Sequence, residues 1–152
     1  GPKEGRLIDV STYVDAIASY SSTNNKPFPD TIYVSTDSYD TFIEFKNAMY
    51  VMNSNIHIIS SVTTDKIGFS IDEYYTLSDH EKGQSTIHSL VDWELLADSE
   101  IYFGYFQSSF SHVVHFMRLW RHPSTSISVD EQNCCHIQQL EKVYTQNCQL
   151  LC

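Results

Sequence analysis

Basic side chains are scarce in this chain. Nine Lys and Arg stand against nineteen Asp and Glu, for a formal charge of −10. Binding to a nucleic-acid backbone relies on a basic stripe, and none is visible, so nucleic acid is not expected as a partner. No run of about 18 apolar residues occurs, which excludes a membrane-spanning helix in the sequence. Cysteine is missing until Cys134; Cys134, Cys135, Cys148 and Cys152 all fall in the last nineteen residues, so the body of the chain carries no disulfide. There is no Asn-x-Ser/Thr acceptor, no internal repeat, no low-complexity tract and no signal-peptide pattern. The opening Gly1-Pro2 reads as the scar of a cleaved expression tag, so the chain reads as a piece of a longer protein.

What is present is enough apolar material for one domain: 152 residues, 41% hydrophobic, with ten Tyr and eight Phe. Residues 9–20 set Val10, Tyr13, Val14 and Ile17 at helical spacing behind Asp9, a candidate cap. Two prolines in 22–30 break the pattern, and TIYVST (31–36) reads as a strand. YDTFIEFKNAMYVM (39–52) predicts a helix with Phe42, Phe45 and Met49 on one side, and NIHIISSV (55–62) a second strand. From Thr63 to Ser85 no period survives, so this stretch reads as a long acidic and aromatic loop. Ile87, Val91 and Leu95 at four-residue steps predict a helix over 87–99, followed by a strand at IYFGYF (101–106). SSFSHVVHFMRLW then reads as a helix with Phe110, Val113, Val114 and Met117 inward, and RHPSTSISVDEQN breaks the pattern again. A last helix, about 136–151, carries Ile137, Leu140, Tyr144, Cys148 and Leu151 on one stripe.

Strands alternating with helices argue for an α/β domain with a mostly parallel sheet and flanking helices, whose ligands bind beyond the carboxyl ends of the strands. Two such ends are polar: Thr36-Asp37-Ser38, and Gln107-Ser108-Ser109. A serine cluster where a strand becomes a helix has two explanations. It caps the helix, or its hydroxyls and the helix-start amides hold an anion such as phosphate. His112 and His115 follow on the helix; each reads either as a half-buried side chain or, for His112, as a phosphate neutraliser. No third ligand stands at metal spacing, so no metal is expected. In the tail, the Cys134/Cys135 pair reads as disulfide-bonded to Cys148 and Cys152 in an oxidising compartment, or as free thiols on the apolar stripe. Tyr74 and Tyr75 in the long loop are candidates to pack on an acceptor sugar or are simply solvated.

DWELLADSEIYFGYFQSSFSHVVHFM (92–117) resembles the donor-site motif of the α1,6-fucosyltransferase family and its relatives: an Asp, a short helix, a strand, then a Ser-rich turn opening a helix. Upstream, IYVSTDS is similar to that family's Val-Tyr-Val-Ala-Thr-Asp-Asp strand end, and GRLIDVSTYVDAI resembles the segment after its basic motif. The resemblance spans roughly 4–120 and is most specific over 92–117. It implies a single Rossmann-like nucleotide-sugar-binding domain over 1–152, one half of a two-domain GT-B glycosyltransferase, with the Cys-rich C-terminal helix within 134–152. The implied activity is inverting, metal-free transfer of fucose from GDP-fucose to a glycan acceptor, in the Golgi lumen of the secretory pathway.

Carried over residue by residue, the resemblance makes Glu4 the catalytic carboxylate and Asp92 the donor-contacting Asp. Ser108 and Ser109 become the diphosphate turn, Asp37 and Ser38 the two acidic positions of the strand end, and Tyr13 the family's Tyr. Three departures stand out. The His-x-Arg-Arg-x-Asp-Lys motif expected before Glu4 is not in the sequence, where only Lys3 and Arg6 lie nearby. His112 stands where the family has Arg, and Ser38 where it has a second Asp. These departures favour the alternative of a non-catalytic Rossmann-like binding or interaction module that lost its basic donor motif. Self-association through the C-terminal helix is a further expectation.

Overall fold

Two short pairs of parallel strands, flanked by helices, form the architecture of this computed structural model, which describes residues 8–106, 108–121 and 126–129. The order is α1 (Val10–Thr23), β1 (Thr31–Tyr33), α2 (Tyr39–Met52), β2 (His57–Ile59), α3 (Ile71–Thr76), α4 (Asp79–Asp98), β3 (Tyr102–Gly104), α5 (Ser109–Arg121) and β4 (Ser126–Ser128). β1 pairs with β2 through Thr31↔His57, Ile32↔Ile58 and Tyr33↔Ile59. β3 pairs with β4 through Tyr102↔Ser126, Phe103↔Ile127 and Gly104↔Ser128. Each pair runs one bond further, Val34 N–H donating to Ile59 O at 2.9 Å and Val129 N–H to Gly104 O at 3.0 Å.

Side-chain alternation splits these strands between two cores. Ile32, Ile58 and Phe103 join Val10, Val14 and Ile17 of α1 with Phe45 and Met49 of α2. Tyr33 and Tyr102 turn the other way, to Leu96 and Trp93 of α4 and to Phe110 and Val114 of α5. Strands with apolar contacts on both faces are the mark of α/β packing. The α/β reading therefore holds at this level. The longer continuous sheet expected from 31–36, 55–62 and 101–106 is not formed among the described residues, where each strand is three residues long.

Helix ends follow local chemistry. Ser38, Ser70 and Ser78 cap α2, α3 and α4 through their hydroxyls. Asp9 sits at the N-cap position of α1 but makes no side-chain cap bond. Asn24 closes that helix, its side-chain amide donating to Tyr20 O at 2.9 Å, and Asn25 follows at φ 49°, a left-handed value asparagine tolerates.

On α4, the apolar residues Ile87, Val91 and Leu95 that announce the helix are about half exposed, and Asp92, Leu96 and Ala97 are buried. Three expectations are corrected. The stretch 63–85 is not one loop: it contains α3 and the first turns of α4. On α5 the buried stripe is Ser111, Val114, His115 and Arg118, so Val113 and Met117 sit at its margin. RHPSTSISVDEQN holds a strand, β4. Glu4, Gln107, the four cysteines and the helix expected over 136–151 lie outside the described residues. No described helix is long and apolar enough to cross a membrane.

Candidate functional site

Parallel pairing sets the carboxyl ends of β1 and β2 side by side, and both strands continue into serine-rich chain: Ser35 and Thr36 after β1, Ser60 and Ser61 after β2. α4 carries Asp92, buried, onto this edge. Three hydroxyls converge on its carboxylate. Tyr33 Oη donates to Oδ1 at 2.5 Å, Ser61 Oγ donates to the same oxygen at 2.8 Å, and Ser35 Oγ donates to Oδ2 at 2.6 Å. Tyr33 and Ser35 are two residues apart on extended chain, so they point the same way. Burial first, and then the bond to Asp92, push the Tyr33 hydroxyl up to about 12, which keeps it a donor at any physiological pH. Ser61 is exposed, so the cluster reaches solvent on that side.

Asp37 and Ser38, further along the chain after β1, fasten a loop. Ser38 Oγ accepts from Thr41 N–H at 3.3 Å as the cap of α2, and Ser38 bridges to Ile67 in antiparallel fashion. Tyr39 N–H donates to Lys66 O at 2.9 Å, and Asp37 Oδ2 accepts from Phe69 N–H at 2.6 Å. Gly68, at φ 124°, supplies the turn that brings Phe69 back to Asp37.

The serine turn lies at the start of α5. Ser108 occupies the N-cap position: its N–H donates to Tyr105 O at 3.0 Å and its carbonyl accepts from His112 N–H at 3.2 Å. Ser109, the first helical residue, is exposed, whereas Ser108 and His112 are half-buried. Ser111 is different. It is buried and accepts from Tyr102 Oη at 3.0 Å, which makes it an anchor to the core. Burial pushes the Tyr102 hydroxyl well up, the Ser111 bond opposes that, and Tyr13 lies close enough to add to it. Tyr13 is half-buried against the first core. The Tyr102 ring lies over Gly104, where a Cβ would meet it at 2.6 Å, so glycine is required there by close approach.

Ring packing and hydrogen bonds join α5 to α4. Trp93 packs on Phe110 with centroids 5.7 Å apart, so the residue after Asp92 touches the second residue of α5. Arg118, buried on α5, holds the C-terminus of α4: Nη1 donates to Leu96 O at 2.9 Å, Ala97 O at 3.2 Å and Ser99 O at 2.6 Å, and Nη2 to Glu100 O at 3.1 Å. Its Nε donates to Ser126 Oγ of β4 at 3.2 Å. Desolvation lowers the Arg118 pKa. Leu96 and Ala97 lie at the end of α4, Ser99 and Glu100 follow it, and one guanidinium gathers the carbonyls of all four.

Of the residues singled out in the sequence, Asp92 lies at the ends of β1 and β2, and the Ser108–Ser109 turn opens α5 after β3, linked to α4 by the Trp93–Phe110 contact. Asp37 and Ser38 are grouped with the 66–69 loop after β1, and Tyr13 packs against the first core. Sequence reasoning missed Tyr33, Ser35, Ser61 and Arg118. A signal existed for two of the bonds they make: Asp92 and Arg118 each share a helical stripe with a buried apolar residue, Leu96 and Val114, and a buried charge requires partners. No group of three or more metal-ligand side chains is gathered among the described residues. Comparison with protein-family models, curated proteins and solved structures finds no match to this chain.

Proposed function

We propose that this chain is the Rossmann-like, nucleotide-sugar-binding half of a GT-B glycosyltransferase of fucosyltransferase type, taking GDP-fucose as donor and a glycan as acceptor. The observation that carries the reading is the convergence of Tyr33, Ser35 and Ser61 on Asp92 at the carboxyl ends of a parallel strand pair, with the start of α5 packed on α4 through Phe110 and Trp93. Ligands of open α/β sheets bind at such ends. The amides of Ser109 and Phe110 and the Ser108 hydroxyl offer donors, and the α5 dipole favours an anion there, which suits a diphosphate. Asp92, an acceptor-only group, suits the N–H edge of a base. Asp37, through the loop it fastens, borders the nucleoside, and Tyr13 lies beside the sugar or ribose.

In an inverting transfer, a base removes the proton of the acceptor hydroxyl as its oxygen attacks the anomeric carbon and the nucleoside diphosphate leaves. Glu4 is the candidate base by resemblance. Ser108 and the first amides of α5 would take up the charge that develops on the leaving diphosphate. Replacing Ser108 by Ala is expected to weaken GDP binding several-fold with no loss of fold, read by calorimetric titration beside a far-ultraviolet spectrum. Unchanged affinity in the folded variant contradicts the assignment.

A second reading, a non-catalytic binding or interaction module, draws on two specific observations. The Asp92 carboxylate already accepts three internal bonds, and Asp37 spends one oxygen on Phe69 N–H. These describe acidic residues employed as struts. Nucleotide titration separates the two readings, because only the donor domain binds GDP.

A further inference from the structure

From the geometry around Asp92 we infer that Tyr33, Ser35 and Ser61 are positioning residues that fix the Asp92 carboxylate as a ligand-directed acceptor; this rests on the nucleotide-binding reading above. A carboxylate offers about four acceptor directions. Oδ1 takes two hydroxyls and Oδ2 takes one, so the remaining direction among the described residues lies on Oδ2, beside Ser35. With both oxygens held, the carboxylate cannot rotate about its last bond, and the open acceptor direction is set before a ligand arrives. Preorganisation of this kind lowers the cost of ordering a polar group on binding.

The chemistry of the donors matters as much as their number. All three are neutral hydroxyls, so they satisfy a buried carboxylate without cancelling its charge, as an arginine would. The group therefore stays attractive to N–H donors and repellent to exposed ring acceptors. The donors also come from three separate places: β1, the chain after β1, and the chain after β2. Asp92 sits on α4, whose C-terminal end is set by Arg118 a turn and a half further along. The carboxylate is thus referenced to the strand ends rather than to a loop.

The test is calorimetric titration of GDP and UDP into the whole chain and into Tyr33→Phe, Ser35→Ala, Ser35→Thr and Asp92→Asn, with thermal unfolding of each. Tyr33→Phe and Ser35→Ala should each weaken GDP binding about fivefold, the size of one lost hydrogen bond. Both should bring the GDP and UDP affinities closer together, and Ser35→Thr, which keeps the hydroxyl, should restore GDP binding and its preference. A role in folding alone would lower the unfolding temperature and leave the GDP/UDP ratio where it was, which overturns the proposal. So does wild-type GDP affinity and selectivity in folded Tyr33→Phe and Ser35→Ala when Asp92→Asn has lost both, an outcome that leaves the nucleotide-binding reading standing. Absence of GDP binding to the wild-type chain removes that reading and this proposal together.

Discussion

A guanidinium buried between two helices has five N–H bonds to place, and Arg118 places them on the frayed end of a neighbouring helix and on a strand serine. Replacing it by Met keeps the volume and takes its donors from the carbonyls of Ala97, Ser99 and Glu100, while Leu96 O keeps the Ser99 hydroxyl. The expected loss is about 3 kcal/mol of stability, since each unsatisfied buried polar group costs about 1–3 kcal/mol and some of these carbonyls will find water. Urea denaturation checks it; a loss below about 1 kcal/mol would mean that solvent replaces the guanidinium freely. Arg121, by contrast, pairs with Glu94 at the exposed surface, and its removal should leave the unfolding midpoint unmoved. At this scale the sequence reveals position better than partnership. Asp92 and Ser108 are visible as chemical candidates in one dimension, but the hydroxyls on Asp92 lie 31, 57 and 59 residues away along the chain. Nothing in local spacing announces such a meeting.

Elements were legible where amphipathic periodicity and a cap agree. α2 spans the same residues that its apolar spacing indicates, with Ser38 as cap, and the α1 core face is the one its spacing sets out. α4 was legible only in its C-terminal half, because DHEKGQST brings no apolar residue and includes Gly83. Its beginning is written instead in a capping box: Ser78 Oγ accepts from Glu81 N–H at 3.3 Å, and Glu81 Oε2 accepts from Ser78 N–H at 2.8 Å. With no apolar face in those first turns, the cap carries the start of the helix. Ser78→Ala should cost about 1 kcal/mol and speed hydrogen exchange of the first-turn amides of α4, as seen by exchange mass spectrometry. Exchange unchanged from wild type would show that packing holds this end. β4 escaped for a different reason. Ser-Ile-Ser has too short an apolar pattern to read; it is buried, paired with β3 and bonded to Arg118 through Ser126.

The described residues form two cores that share strands, with hydroxyls gathered where β1 and β2 end. The alternation of helix and strand made the fold class legible. Short strands hid the extent of the sheet, and the 66–69 loop that packs on Asp37 and Ser38 could not be foreseen from residues that carry no period. The central claim is that this strand-end edge binds a guanine nucleotide through Asp92 and the serine turn. Its most direct test is calorimetric titration of the chain with GDP, GDP-fucose, UDP and ATP, repeated on Asp92→Ala. Binding selective for GDP and GDP-fucose, lost in a folded Asp92→Ala variant, is the predicted result. Flat titrations from a folded wild-type sample, or guanine-nucleotide binding that survives in Asp92→Ala, would contradict it.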